Sequence, residues 1–155
     1  MDIEGVFQAV RLNKVDSLIS IIDSINIDSV NESGQNLLHE ASAFKSLECA
    51  KELLNRNINA NYKDKSGMVP LHYCAANNSY DIANEIINNG ADLSVRDAHG
   101  NEPLWTAVFN ARGGYDLVKL FISKGADSKH KNNNKKSPLD FAIQINDANL
   151  VSILT

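Results

Sequence analysis

The chain has only three prolines, two cysteines and one tryptophan among its 155 residues. Cys49 and Cys74 offer no paired disulfide framework, so reduced thiols and a cytoplasmic location are expected. Positive charge is not in surplus. Fifteen Lys and Arg stand against nineteen Asp and Glu, a net charge of −4. That argues against a general nucleic-acid binder, because phosphate binding needs an excess of Lys and Arg. Long apolar runs are also missing. The longest, VDSLISIIDSI, is short and broken by Asp16 and Asp23, so no segment is expected to span a membrane. No secretory leader is expected, since Asp2 and Glu4 occupy the place of a positive n-region. The remaining composition, 43% hydrophobic and 22% charged, is that of one globular domain with a real core.

Chemistry-bearing patterns are equally scarce. The four histidines, His39, His72, His99 and His130, show no metal-site spacing. His72 and Cys74 are the only near pair, and Cys74 falls at a small-residue core position. Cys49 lies on an apolar helix face and reads as an inert buried thiol. The stretch NARGGYD lacks the Lys-Ser/Thr of a phosphate loop. No catalytic residue, metal or cofactor is therefore expected, and the chain reads as a non-enzyme.

What is present is a repeat. GQNLLHEAS, GMVPLHYCA, GNEPLWTAV and KKSPLDFAI begin at Gly34, Gly67, Gly100 and Lys135, at spacings of 33, 33 and 35 residues. A second apolar cluster and a turn follow the first three, as in IINNGADLS from Ile86 and FISKGADSK from Phe121. The three prolines, Pro70, Pro103 and Pro138, fall at one repeat position, where a helix start tolerates the missing N–H. Asn36 and Ser137 precede such starts as good N-caps. Val69 and Glu102 do not, so those starts should be weaker. Gly90, Gly125 and Asn57 suit left-handed helix stops. Apolar residues recur at i, i+4 in the second helices: Cys49 and Leu53, Ile82 and Ile86, Leu117 and Phe121, Leu150 and Leu154. Stacked neighbours would bury these faces together.

A 33-residue period carrying Pro70-Leu71-His72, Gly90-Ala91-Asp92 and Gly125-Ala126-Asp127 resembles the ankyrin repeat. The resemblance covers essentially the whole chain. It implies an all-α solenoid of about five helix-turn-helix repeats joined by hairpin-like loops, in one domain over 1–155. The approximate repeats are 1–33, 34–66, 67–99, 100–134 and 135–155, the first a degenerate cap. His39 and His72 would hold their loops by hydrogen bonds. Trp105 cannot accept a bond, so packing should replace bonding there, and Asp140 fills the same place in the last repeat. Lys135 replaces a glycine, which puts the standard turn of its loop in doubt. The two extra residues of the fourth repeat belong between its helices, around Gly113 and Gly114. They are a tolerated insertion or, with Arg112 as anchor, a contact point. The basic stretch SKHKNNNKKS keeps the loop spacing, so it is the fourth inter-repeat loop and not a tail.

Ankyrin repeats mostly bind proteins with their loop tips and the exposed side of each first helix, which form a concave groove. The resemblance therefore nominates Glu32, Gln35, Lys65, Met68, His99 and Asn101 at loop tips, and Glu40, Tyr73, Thr106, Phe44, Asn77 and Asn110 on first helices. Phe141 occupies the same groove position as Tyr73. Tyr73, Phe44 and Met68 would form an apolar centre with Tyr73 as anchor, although Phe44 fits equally well as core. Residues 1–44 hold seven acids against two bases, and residues 128–155 four lysines against two acids. This gradient either steers a charged partner or is a solvated surface. The implied function is a monomer that inhibits or neutralises one protein partner, a toxin or enzyme, most specifically as a bacterial immunity protein. A scaffold or a regulator of a kinase or transcription factor is the alternative. No nucleic-acid or membrane partner is expected.

Overall fold

The computed structural model describes residues 3–155, and among them every regular element is helical. Ten helices follow as five pairs. They are α1 (Ile3–Arg11) with α2 (Val15–Ile22), α3 (Leu37–Phe44) with α4 (Leu47–Asn55), and α5 (Pro70–Asn77) with α6 (Tyr80–Asn88). Next come α7 (Pro103–Phe109) with α8 (Asp116–Ser123), then α9 (Pro138–Gln144) with α10 (Ala148–Leu154). Each first helix packs on the next first helix, and each second helix on the next second helix. The result is a two-layer helical solenoid. One continuous apolar core runs through it, from Val6, Phe7 and Leu18 through Leu38, Leu53, Leu71 and Ile86 to Leu104, Phe121 and Leu150. No single pair could bury such a face alone.

Local chemistry explains where the helices start. Pro70, Pro103 and Pro138 open α5, α7 and α9, where the ring's fixed φ is already helical. The Asn36 side chain accepts from the amides of Leu38 and His39, and the Ser137 hydroxyl from that of Asp140. Val69 and Glu102 provide no side-chain cap. Val69 is nonetheless compensated, because its own N–H donates to His72 Nδ1 at 3.1 Å. That bond leaves the hydrogen on Nε2, which donates to Asn101 O in the next loop at 2.9 Å. His39 reaches Met68 O in the same way, at 3.0 Å. Burial pushes both imidazoles below their ordinary pKa.

The loops repeat one device. Asn31, Asp64, Asp97 and Asn132 each accept at Oδ1 from the amides two and four residues on. Gly34, Gly67 and Gly100 close these turns at φ of +77°, +74° and +76°. Lys135 closes the fourth at φ +60°, its N–H donating to Asn132 O at 2.9 Å. The glycine is therefore dispensable for the turn, which persists at the cost of a left-handed lysine. Neighbouring loops are tied by Lys65 N–H to Ser33 O, Ala98 N–H to Ser66 O and Asn133 N–H to His99 O. Asn57, Gly90 and Gly125 adopt the expected left-handed stops. The fourth repeat's extra residues lie between α7 and α8, in an exposed turn with Arg112 at φ +43° and Gly113 at φ +88°.

Candidate functional site

The exposed sides of α3, α5, α7 and α9 and the adjoining loop tips carry the sequence-nominated residues. Glu32, Phe44, Lys65, Asn77 and His99 are exposed there, and Gln35, Met68, Tyr73, Asn101, Thr106 and Asn110 are half-buried. Phe44 is 54% exposed, so it belongs to the surface and not to the core.

Glu40 is a correction. It was expected to face a partner but is only 5% exposed. Its carboxylate accepts from Arg11 Nη2 at 2.9 Å and Nε at 3.3 Å, and Asn31 adds a bond at 3.3 Å. A carboxylate this deep is stable only when paired, and α1 supplies the partner. Glu40, then Glu4, holds the Arg11 guanidinium more firmly protonated than usual.

Tyr73, the expected anchor, is likewise engaged within the protein. Its hydroxyl donates to Asp64 Oδ2 at 2.6 Å and accepts from Gln35 Nε2 at 2.6 Å. Its ring meets His39 edge-on at a centroid distance of 5.3 Å. Burial and then the Asp64 carboxylate push its hydroxyl pKa up to about 12. Asn31 also donates to Gln35 Oε1 at 2.8 Å. A continuous polar chain thus runs Glu4, Arg11, Glu40, Asn31, Gln35, Tyr73, Asp64 along the N-terminal half of this face. These groups satisfy one another and leave little to offer a partner. Asn77 and Asn110 bond back to Tyr73 O and Thr106 O on their own helices.

The C-terminal half differs. Phe141, at the repeat position of Glu40 and Tyr73, has no polar atom to satisfy. Its ring lies 5.6 Å from Trp105 and 5.4 Å from Phe109, centroid to centroid, and Phe109 is 59% exposed. Trp105, Phe109 and Phe141 thus form a ring cluster on this face, whereas Tyr73 and Phe44, expected with Met68 as an apolar centre, make no ring contact with each other among the described residues. The sequence carried a signal for Phe109: its equivalents in the two preceding repeats are Ala43 and Ala76. Trp105 replaces a loop-tying histidine with packing, as expected. The loop tie passes to two later residues. His130 Nε2 donates to Gly100 O at 3.1 Å, and Asn132 Nδ2 to Asn101 Oδ1 at 2.9 Å.

The basic loop borders this cluster. Lys129, Lys131, Lys135 and Lys136 are all exposed. Lys131 Nζ lies 3.9 Å from Asp140 Oδ2, on the residue preceding Phe141. Asp140 takes the Ser137 amide at 2.9 Å, and this bond holds its carboxyl below the usual range. At the other end, part of the acidity is neutralised within the protein, since Arg11 pairs with Glu4 and Glu40, and Arg56 with Asp23.

Both thiols are buried, and burial raises Cys49 to about 11 and Cys74 to about 12, the opposite of a nucleophile's activation. Among the described residues no group of three or more His, Cys, Asp or Glu is arranged to hold a metal ion. No described helix is long and apolar enough to cross a membrane.

Compared with known families, the chain matches the model of ankyrin repeats (three copies) over residues 6–97, more than half its length. The pairs α7–α8 and α9–α10 continue the same stacking beyond that match. No curated protein matches the chain.

Proposed function

The chain belongs to the ankyrin-repeat family, a protein–protein interaction module, and we propose that it inhibits or neutralises one partner protein by occupying it with the groove face of its repeats. The observation that carries this reading is the cluster of exposed Phe109 with half-buried Trp105 and Phe141, on the side from which ankyrin repeats bind. Partly exposed aromatics on a rigid frame are typical interface anchors. The most specific form of the reading is an immunity protein that neutralises a cognate bacterial toxin in the cytoplasm. The free, buried thiols support a reducing compartment. The protein acts by binding alone, as a monomer, without catalysis, nucleic acid or membrane.

Co-expression with the product of the neighbouring gene tests the immunity form. A product that is toxic alone and harmless beside this protein is the expected result. A product harmless alone, or still toxic in the pair, removes the immunity form. A second reading, an adaptor that joins two proteins, draws on the separation of exposed Phe44 on α3 from the aromatic cluster on α7 and α9. It requires two partners bound at once, which sedimentation of the mixed components would detect.

A further inference from the structure

We infer that the Trp105, Phe109 and Phe141 cluster, with the lysine loop beside it, docks an acidic protein segment that carries an apolar anchor. This rests on the protein-binding reading and adds where the partner sits and what its chemistry is.

The location follows from comparing equivalent positions. Where earlier repeats place Glu40 and Tyr73, each is satisfied by neighbours 29 and 38 residues away. After Thr106 in the fourth repeat, the same position in the fifth is the ring of Phe141, outside this polar chain, and Phe109 adds a second ring where Ala43 and Ala76 stand. Adjoining aromatic surface of this kind, left in water, gains free energy when covered. The N-terminal half lacks an equivalent, since Phe44 meets no other ring among the described residues.

The partner's charge follows from the border of the cluster. Residues 128–136 contain four lysines and no acid in a protein of net charge −4. Lys129, Lys131, Lys135 and Lys136 are exposed, and Lys131 Nζ lies 3.9 Å from Asp140 Oδ2, beside Phe141. The nearest carboxylates are engaged. Asp140 accepts from the Ser137 amide, and Asp127 accepts from the amide of Lys129. Glu102 is buried beside His130. An apolar centre with a lysine border complements an apolar side chain flanked by carboxylates. A nucleic acid fits less well. Four lysines on one loop neutralise few phosphates, and the acidic N-terminal half would repel a long polyanion.

Trp105 is the only tryptophan, so its emission reports directly on this site. The intact protein is titrated with three synthetic peptides and a short single-stranded oligothymidylate. One peptide places Leu-Phe between runs of Asp and Glu, the second replaces those acids by Lys, and the third replaces Leu-Phe by Ser-Gly. Only the first is expected to shift Trp105 emission. Phe109→Ala should weaken it by about tenfold or more, with the melting temperature lowered by no more than a few degrees because the ring is largely exposed. Lys131→Glu combined with Lys136→Glu should weaken it about tenfold at low salt and remove the salt dependence. Equal binding of the basic peptide, the anchorless peptide or the oligothymidylate overturns the inference. So does binding that leaves Trp105 emission unmoved, emission that changes with protein concentration alone through self-association, or no binding by any probe. A native partner that binds wild type, Phe109→Ala and the double lysine variant equally would remove this site but leave the protein-binding reading standing. Absence of any protein partner would remove that reading itself.

Discussion

The Tyr73 hydroxyl donates to Asp64 Oδ2 at 2.6 Å, joining the groove side of α5 to the loop before it. Gln35 of the preceding loop donates to the same hydroxyl at 2.6 Å. A residue that reads as a binding anchor from its repeat position is thereby a structural link between two loops.

Tyr73→Phe keeps the ring against His39 and removes both hydrogen bonds. It should lower unfolding free energy by about 1–3 kcal/mol, because two part-buried polar groups lose a partner. Affinity for a partner should change little. Urea denaturation and a binding titration separate the two effects. A loss of affinity without loss of stability would restore Tyr73 as an anchor.

The same hydroxyl makes alkaline stability informative. Its pKa is raised from 10.0 to about 12 in the folded protein, so the folded state holds this proton more tightly than the unfolded chain does. The stabilisation is complete below pH 10 and disappears as pH rises through about 12. Tyrosinate absorbance should show a step near pH 12 that is absent from Tyr73→Phe.

At the acid side the sign is reversed. Burial lowers His39 and His72 from 6.5, so both remain neutral in the fold where the unfolded chain would take up protons. Their contribution is present above about pH 6.5 and is lost as pH falls through their folded values. Melting temperature should decline steadily from pH 7 to pH 5. His72→Gln should be less stable at pH 7 but show a shallower decline. An equal slope in both proteins would assign the acid loss to other groups.

Lys135 holds a φ of +60° where three other loops have glycine. Lys135→Gly should raise stability by about 0.5–1 kcal/mol by relieving a left-handed side chain, partly offset by a more flexible unfolded chain. Gly100→Ala should act in the opposite sense. A Cβ there would lie 2.5 Å from Asn133 Oδ1 and 3.0 Å from Asn133 N, against the next loop. Denaturation midpoints of the two variants should move in opposite directions.

Core and surface should respond differently. Leu71 is fully buried, and Leu71→Ala should cost about 2–5 kcal/mol through the cavity it leaves. Phe109→Ala removes one ring contact from an exposed residue and should cost no more than about 1 kcal/mol. Comparable losses in the two would place Phe109 in the core and weaken its assignment to an interface.

Much of the fold was legible because its signals are local. Pro at the first helical position, Asn36 and Ser137 as caps, and Gly90, Gly125 and Asn57 as stops depend on a few neighbouring φ angles and amides. The helix start at Val69 is less local. Its cap defect is answered by His72, whose two nitrogens serve a helix start and a following loop at once. The candidate site was legible only as a set of positions. Glu40 and Tyr73 occupy outward positions, yet Arg11, Gln35 and Asp64 engage them. Phe109 has a signal of its own, an aromatic in place of alanine, but such a ring fits core or surface equally well, and only its place in the stack leaves it 59% exposed.

By itself the sequence determined the period, the helix pairs, the left-handed stops and the turn chemistry, because each follows from backbone preferences within a few residues. Only the tertiary structure decided which outward residues remain available. That choice is made between side chains about one repeat apart in the chain but adjacent in the stack. There, reach and hydrogen-bonding partners decide the outcome: the N-terminal half of the face closes into a polar chain, and the C-terminal half keeps exposed aromatic surface beside lysines.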